Sequence, residues 1–147
     1  MTKRFRIYTD GGARGNPGPA GAGAVIQIFQ EKTKTFFLAK ELKRFLGQAT
    51  NNQAEYQALI MGLEAAVEMG AAEVECLLDS ELLVKQMNRE YRVKDSDLAP
   101  LFVRVWNLGT KLGRVSFQHI RREYNKEADR LVNEAIDEGL GIRGRRS

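Results

Sequence analysis

Apolar and polar residues alternate in the first third of the chain, which predicts three consecutive strands. The first strand is Phe5 to Thr9, and the second is the apolar run from Ala24 to Phe29. Between them, glycines and prolines crowd residues 11–23 and predict a turn-rich connection. A polar turn then leads into a third strand, from Thr35 to Leu46. Three strands joined directly in succession predict an antiparallel meander.

The spacing of apolar residues changes to that of a helix after residue 50. Thr50-Asn51-Asn52-Gln53 has the form of a capping box and Gly70 is a typical helix stop, so we expect a long helix from Asn52 to Met69. Val74 to Leu78 is an almost wholly apolar run, as in a buried parallel strand. The rest of the chain is predicted to form two helices, a fifth strand and a final helix, at residues 80–88, 97–111, 115–120 and 125–138.

This order of elements predicts one α/β domain. Its five-stranded mixed sheet is an antiparallel meander followed by parallel strands, flanked by helices. We assign the domain to residues 1–140 and expect the basic segment at residues 141–147 to be a mobile tail. A chain of 147 residues has room for one domain and hardly for two.

Four acidic residues are predicted to gather at one edge of this sheet. Asp10 follows the apolar part of the first strand, and Asp79 ends the fourth. Glu55 and Asp129 lie in the first turns of helices that begin at the same edge when the crossovers are right-handed. Taken singly, each has an ordinary explanation, because acidic residues stabilise helix N-termini and aspartate is common in turns. Four together at the ligand-binding edge of an α/β sheet favour a functional site.

Clustered carboxylates repel one another and need a counter-charge, which Mg²⁺ supplies while binding oxygen ligands. A zinc site is excluded because the chain contains a single histidine and a single cysteine. Two cations at such a site would suit in-line displacement at phosphorus. The acidic residues therefore predict a metal site for phosphoryl chemistry.

The composition excludes several classes of protein but does not identify the function. The one cysteine, Cys76, allows no intrachain disulfide and predicts a reducing, cytoplasmic setting. No apolar run approaches the ~20 residues of a membrane span, and the N-terminus has no secretory signal. The net charge is +4 and the pI about 9.3, which is compatible with a polyanionic partner. These numbers exclude a disulfide scaffold, a membrane protein and a disordered chain.

Four segments resemble the motifs of type 1 ribonuclease H. They are Thr9-Asp10-Gly11-Gly12 with the Gly15-to-Gly21 stretch after it, Thr50-to-Glu55, Leu78-Asp79-Ser80 and Asn125-to-Asp129. Their order and spacing agree with the family over residues 4–138. The resemblance implies an endonuclease that hydrolyses the RNA strand of RNA–DNA hybrids and leaves 5′-phosphate and 3′-hydroxyl ends.

The resemblance also implies roles for individual residues. The catalytic carboxylates, which hold two Mg²⁺ ions or Mn²⁺ as a substitute, would be Asp10, Glu55, Asp79 and Asp129. Amide groups both donate and accept hydrogen bonds in the wide minor groove of a hybrid, where the 2′-hydroxyls lie. The implied substrate contacts, together with one cation from the loop before the last helix, are Gly15, Asn16, Asn51, Asn52, Gln53, Asn125 and Arg122.

The chain departs from the family at two places. Many members carry a histidine on a loop before the last aspartate, whereas residues 121–125 read Arg-Arg-Glu-Tyr-Asn. We hypothesise that Glu123 or Glu127 replaces that histidine, or that no side chain does. The only histidine, His119, is expected to pack within the fifth strand. The basic helix and loop with which some members grip the hybrid is also missing between Asn88 and Asp97.

These departures leave other activities open. The same fold could have a broader activity on double-stranded RNA or RNA–DNA junctions, and a non-catalytic hybrid-binding module is an alternative of another class. A nucleotide-binding domain ranks low, because the glycine-rich loop leads into a strand rather than a helix. We expect an RNA–DNA hybrid as partner, no membrane, no obligate protein partner, and a monomer.

The side chains outside the motifs are expected to be structural or to hold phosphates. Trp106 falls at helical spacing with Phe102 and is expected in the core rather than as a base-stacking platform, since aromatic and cationic residues do not interleave visibly. Cys76 is expected as a small buried residue. The cations left to hold the phosphate backbone are Lys40, Lys43, Arg44, Arg92, Lys94, Arg121, Arg122 and the tail arginines.

Overall fold

The computed structural model describes residues 3–142, so the tail arginines and most of the predicted mobile segment lie outside the described residues. Its elements are β1 (Arg4–Ala13), β2 (Gly18–Gln30), β3 (Thr35–Ala49), α1 (Asn51–Glu68), β4 (Glu73–Leu78), α2 (Glu81–Met87), α3 (Ala99–Thr110), β5 (Arg114–His119) and α4 (Lys126–Gly139), with one 3₁₀ turn (Arg122–Tyr124) before α4. The predicted order of strands and helices is confirmed.

The five strands form one sheet in the order β3-β2-β1-β4-β5. The pairs β1–β2 and β2–β3 are antiparallel, whereas β1–β4 and β4–β5 are parallel. This confirms the predicted mixed sheet, in which a meander precedes the parallel strands. Two neighbouring residues of β1 show that the two faces of the sheet pack against different helices. Ile7 packs in the main core with α1, while Tyr8 packs with α4 against the other face.

The glycine-rich segment is strand over most of its length, where the sequence predicted a turn-rich connection. β1 continues to Ala13 and β2 begins at Gly18, so the turn between them is short. The helices that cover these strands explain why the segment is rich in glycine. A Cβ on Gly11 would lie 2.1 Å from the Ala54 carbonyl oxygen of α1, and one on Gly23 would lie 2.6 Å from the Ala128 oxygen of α4. The glycines therefore allow both helices to approach the sheet closely.

The predicted capping box starts α1, one residue earlier than expected. The Thr50 hydroxyl accepts a hydrogen bond from the Gln53 amide at 3.1 Å, and Gln53 Oε1 accepts one from the Thr50 amide at 2.9 Å. These two bonds satisfy donors that the helix itself leaves unpaired. The capping box therefore fixes where α1 begins, and with it the position of Glu55 beside β1.

Two predictions about individual side chains are wrong. His119 ends β5 and is exposed instead of packed. Trp106 lies on α3 but is 48 % exposed, so it is not part of the core. Cys76, by contrast, is fully buried in β4 as predicted. No helix within residues 3–142 is long and apolar enough to cross a membrane.

Candidate active site

Three acidic side chains meet beside the centre of the sheet. Thr9 of β1 pairs with Leu78 of β4, so the residues that follow, Asp10 and Asp79, stand side by side. Glu55, the fifth residue of α1, joins them. One carboxylate oxygen of each residue lies within 4.8 Å of the others. Asp10 sits inside β1, paired with Gly23, rather than after the end of the strand as predicted.

The fourth predicted carboxylate stands at the rim of the same cleft. Asp129 is exposed in the first turns of α4, and it lines the cleft together with the three clustered acids. Its charge reaches Asp10, whose pKa it helps to raise. The structure therefore brings all four residues to one cleft, while three of them form the tight cluster.

Burial and mutual repulsion oppose ionisation of the clustered acids. The pKa of Asp10 is raised to about 7, chiefly because the side chain is buried and then because Asp79 and Asp129 are negatively charged. Burial, followed by the charges of Asp10 and Asp79, also raises the pKa of Glu55 well above its ordinary value. Burial and neighbouring negative charges therefore both disfavour the ionised carboxylates in the metal-free protein.

The donor set fits a hard divalent cation. It consists of carboxylate oxygens, which Mg²⁺ and Mn²⁺ prefer. Glu55 Oε2 is buried and accepts no hydrogen bond from residues 3–142, although its carboxylate neighbours are close. A bound cation would satisfy that oxygen and offset the repulsion that raises the pKa values of Asp10 and Glu55.

Asn125 supports this cluster from inside the protein and does not line the cleft. Its side chain is 1 % exposed, and Nδ2 donates hydrogen bonds to the Thr9 carbonyl oxygen at 2.9 Å and to Asp79 Oδ2 at 3.4 Å. The prediction that Asn125 contacts substrate is therefore corrected, because its amide is used inside the protein. Asn125 instead ties the start of α4 to β1 and to Asp79.

Residues near the start of α1 that were predicted to contact substrate also form hydrogen bonds within the wall of the cleft. Asn16 Oδ1 accepts a hydrogen bond from the Asn51 amide at 3.0 Å, and Asn51 Oδ1 accepts one from the Ala13 amide at 2.8 Å. Gln53 is used in the capping box. Asn52 is exposed and lines the cleft beside Asn51. Gly15 lies in the turn between β1 and β2 with a φ of 102°, a conformation that favours glycine.

Sequence reasoning missed one basic residue of the cleft. Arg14 lines it, and its guanidinium forms a 2.8 Å ion pair with Asp137 and a 3.3 Å hydrogen bond with Asn133 Oδ1, both on α4. The feature of the sequence that could have identified Arg14 is its position directly after the Asp-Gly-Gly-Ala segment. Arg14 and the predicted Arg122 are the cations of the cleft lining within residues 3–142.

Comparisons with known proteins bear on this arrangement. A family model described as "Reverse transcriptase-like" matches residues 8–135. Ribonuclease H of Chlorobaculum parvum is 32% identical over 157 residues, which cover 94% of this chain and 99% of that protein. The chain belongs to the ribonuclease H family. The predicted ribonuclease H-like fold is thereby confirmed.

Further members show where this chain stands in the ribonuclease H family. The bifunctional protein Rv2228c of Mycobacterium tuberculosis is 45% identical over 131 residues, but the match covers 89% of this chain and only 35% of that protein. A structure of its N-terminal RNase H domain, fused to maltose-binding protein, matches 95% of this chain with a TM-score of 0.86 at 42% identity, covering 98% of that chain. LC11-RNase H1 in complex with an RNA/DNA hybrid matches 92% of this chain and 99% of its own, with a TM-score of 0.82 at 45% identity.

The loop before Asp129 has no histidine in this member of the family. Glu123 lies 3.8 Å from Arg121, and Glu127 lies 3.1 Å from Arg130. Both glutamates line a small separate cavity beside Tyr8, not the acidic cleft. Their positions do not support the hypothesis that one of them replaces the histidine, and Arg122 is the loop residue that reaches the cleft.

Proposed function

We propose that this protein is a metal-dependent endonuclease that hydrolyses the RNA strand of RNA–DNA hybrids. The observation that carries the proposal is the cluster of Asp10, Glu55 and Asp79, with oxygens within 4.8 Å of one another, in a chain of the ribonuclease H family. The hybrid bound to LC11-RNase H1 supports the substrate class. The chain spans only 35% of the mycobacterial relative, so the proposal concerns the activity of this domain.

Four carboxylates would hold two divalent cations, with Asp129 completing the cluster at the rim of the cleft. When bound, Mg²⁺ or Mn²⁺ supplies a Lewis acid for the scissile phosphate and a water that is nucleophilic at neutral pH. The residues of the chain orient the carboxylates. Asn125 holds Asp79 through its side-chain amide, and the pairing of β1 with β4 sets Asp10 beside it. We propose that the products carry 5′-phosphate and 3′-hydroxyl ends.

The substrate contacts are proposed from the exposed groups around the cleft. We propose that Asn51, Asn52 and the Gly15–Asn16 turn contact the minor groove of the hybrid. Asn51 and Asn52 line the cleft, and Gly15 and Asn16 are exposed. Amides at this place can read the 2′-hydroxyls, which distinguish RNA from DNA. Arg122 is proposed to hold a phosphate, since its guanidinium is exposed at the edge of the cleft.

Cleavage of an end-labelled hybrid tests the proposal. With Mg²⁺ or Mn²⁺ we expect shortening of the RNA strand alone, and with EDTA none. The Asp10→Asn variant should bind hybrid and fail to cut it, which would also separate an enzyme from a hybrid-binding module. Comparable cleavage of double-stranded RNA would indicate the broader activity. An intact RNA strand with every divalent cation would contradict the proposal.

We further propose that the protein acts in the cytoplasm as a monomer without an obligate protein partner. The support for a reducing compartment is that Cys76, the one cysteine of the chain, is a buried free thiol, so that folding requires no disulfide. Size-exclusion chromatography with light scattering tests the oligomeric state, and a mass of twice 16.5 kDa would contradict a monomer.

A further inference from the structure

A groove separate from the acidic cleft lies between the end of α2, the face of α3 and strand β5. Its volume is about 510 Å³. We call it the Trp106 groove, after the residue whose indole ring forms one wall. The side chains that define it are Met87, Arg89, Phe102, Trp106, Thr110 and Phe117.

The indole of Trp106 is 48 % exposed and carries a cation on its face. The Arg89 guanidinium carbon lies 4.2 Å from the ring centroid. Arg89 is the only charged residue lining the groove within residues 3–142, and no carboxylate among those residues forms an ion pair with it. The groove therefore combines a flat apolar wall with an uncompensated positive charge.

The backbone of Arg89 is held in an unusual conformation. Its φ is 62°, in the left-handed region that non-glycine residues seldom adopt. Arg89 directly follows the C-cap of α2, where a left-handed residue commonly ends a helix, and this fixes where its side chain leaves α2. The conformation follows the end of α2, where the Arg89 amide donates to the Gln86 oxygen at 3.1 Å.

A second cation–aromatic pair lies on the other side of Arg89. Lys85 Nζ is 5.0 Å from the ring centroid of Tyr91, which is 50 % exposed. Tyr91 lines a neighbouring groove with Arg89, Glu90 and Arg92. Two exposed aromatic rings, Trp106 and Tyr91, thus each carry a cation in the folded protein.

We propose that the Trp106 groove binds a single-stranded nucleic-acid segment, with a base stacked against Trp106 and phosphates held by Arg89 and Arg92. Exposed aromatic rings alternating with cations are the usual means of binding single strands. A duplex cannot use the groove in this way, because its bases are stacked inside the helix. The site goes beyond the proposed hydrolysis of hybrids, since its ligand is an unpaired strand.

The acidic cleft and the groove lie at opposite ends of α2, since Ser80 lines the cleft and Met87 lines the groove. Helix α2 has seven residues and begins two residues after Asp79. At 1.5 Å per residue it spans about 10 Å, the length of a few nucleotides. An unpaired overhang next to a hybrid can therefore reach Arg89 along α2.

The single tryptophan of the chain makes the proposal directly testable. Emission from Trp106 is followed while an oligothymidylate of about 12 nucleotides is added in EDTA, since single-strand sites span roughly 4–16 nucleotides. We expect saturable quenching of this emission and an affinity that falls with added salt. The Arg89→Ala variant should bind about tenfold more weakly.

The control is Arg114→Ala, because Arg114 is an 80 % exposed arginine on β5 that pairs with Glu73 at 3.6 Å and does not line the groove. It should retain the affinity of the parent protein. The Trp106→Ala variant, followed through a fluorescent label on the oligonucleotide, should also bind about tenfold more weakly, with circular dichroism confirming that it is folded. Both groove variants should still cleave a blunt hybrid.

Three results would overturn the proposal. The first is the absence of saturable quenching. The second is an equal loss of affinity in Arg89→Ala and Arg114→Ala, which would indicate unspecific attraction to phosphate. The third is equally tight binding of polyglutamate, which would assign the groove to acidic peptides. The assay contains DNA alone and no divalent cation, so its outcome is independent of whether hybrids are cleaved.

Discussion

The side-chain amide of Asn125 donates a hydrogen bond to the main-chain oxygen of Thr9, 2.9 Å away. Thr9 precedes Asp10 in β1, and the same amide nitrogen lies 3.4 Å from Asp79 Oδ2. One buried side chain at the start of α4 thus connects the strands that carry two of the clustered acids. It couples the docking of α4 to the spacing of the acidic cleft.

Replacing Asn125 with alanine should damage both stability and activity. The Thr9 oxygen would lose its partner in a buried position, so we expect the free energy of unfolding to fall by about 1–3 kcal/mol. We also expect kcat for hybrid cleavage to fall more than KM changes, because Asp79 loses its support. Urea denaturation and steady-state kinetics measure these effects. Asn107→Ala, at an exposed position of α3, is the control and should change neither.

Acidification should stabilise the metal-free protein. The pKa of Asp10 is raised from 3.8 to about 7 in the folded state, so the folded protein binds more protons than the unfolded chain between these values. Stability therefore falls as pH rises through this window, and the penalty is fully present above pH ~7. Asp10→Asn should remove part of it and raise the free energy of unfolding at pH ~8 by roughly 2 kcal/mol.

The measurement is thermal unfolding in EDTA across this pH range. The control is Asp97→Asn, which changes an exposed aspartate in the segment before α3 and should leave the pH dependence unaltered. A parent protein that gains stability from pH ~5 to pH ~8 would contradict the assignment of the raised pKa to Asp10.

Divalent cations should raise the melting temperature through the acidic cluster. Binding to the folded state alone contributes about 2.7 kcal/mol at a cation concentration of 100 times Kd. Asp10→Asn, Glu55→Gln and Asp79→Asn should each reduce the shift, because each removes a ligand oxygen. Differential scanning calorimetry with Mg²⁺, and then Mn²⁺, tests this. An undiminished shift in all three variants would place the cation elsewhere.

A methyl group at Gly11 should separate α1 from β1. The added Cβ would lie 2.1 Å from the Ala54 oxygen, so the helix that carries Glu55 must move. We expect Gly11→Ala to lose about 3 kcal/mol or more of stability and to lose hybrid cleavage. Gly109→Ala is the matched control, since nothing lies within 4 Å of its added Cβ, and alanine should stabilise α3 by up to ~1 kcal/mol.

The loop before Asp129 should contribute through its arginine rather than its glutamates. Glu123→Ala and Glu127→Ala should keep full turnover, because both side chains lie outside the acidic cleft. Arg122→Ala should raise KM for the hybrid and weaken its salt dependence, since one phosphate contact is removed. Loss of turnover in either glutamate variant would restore the idea that a carboxylate replaces the missing histidine.

Much of the fold could be predicted because its signals are local. The order of strands and helices follows from apolar periodicity, and the start of α1 follows from the capping chemistry of Thr50 and Gln53. Asp10, Glu55 and Asp79 could be placed together because right-handed crossovers leave few topologies for this order of elements. These inferences need only neighbouring residues and general rules of chain connection.

The sequence by itself therefore determined the order of elements and the three clustered acids, whereas contacts between distant segments decided the rest. From sequence alone, the glycine-rich segment is interpreted as a turn, but in the structure it is a strand on which α1 and α4 pack. From sequence alone, Asn125 is interpreted as a surface amide, but in the structure it is buried where α4 docks on β1. Trp106 fits a core helix by its spacing, yet its exposure depends on whether another element covers α3. Burial is set by which distant surfaces meet, and periodicity along one segment carries no information about that.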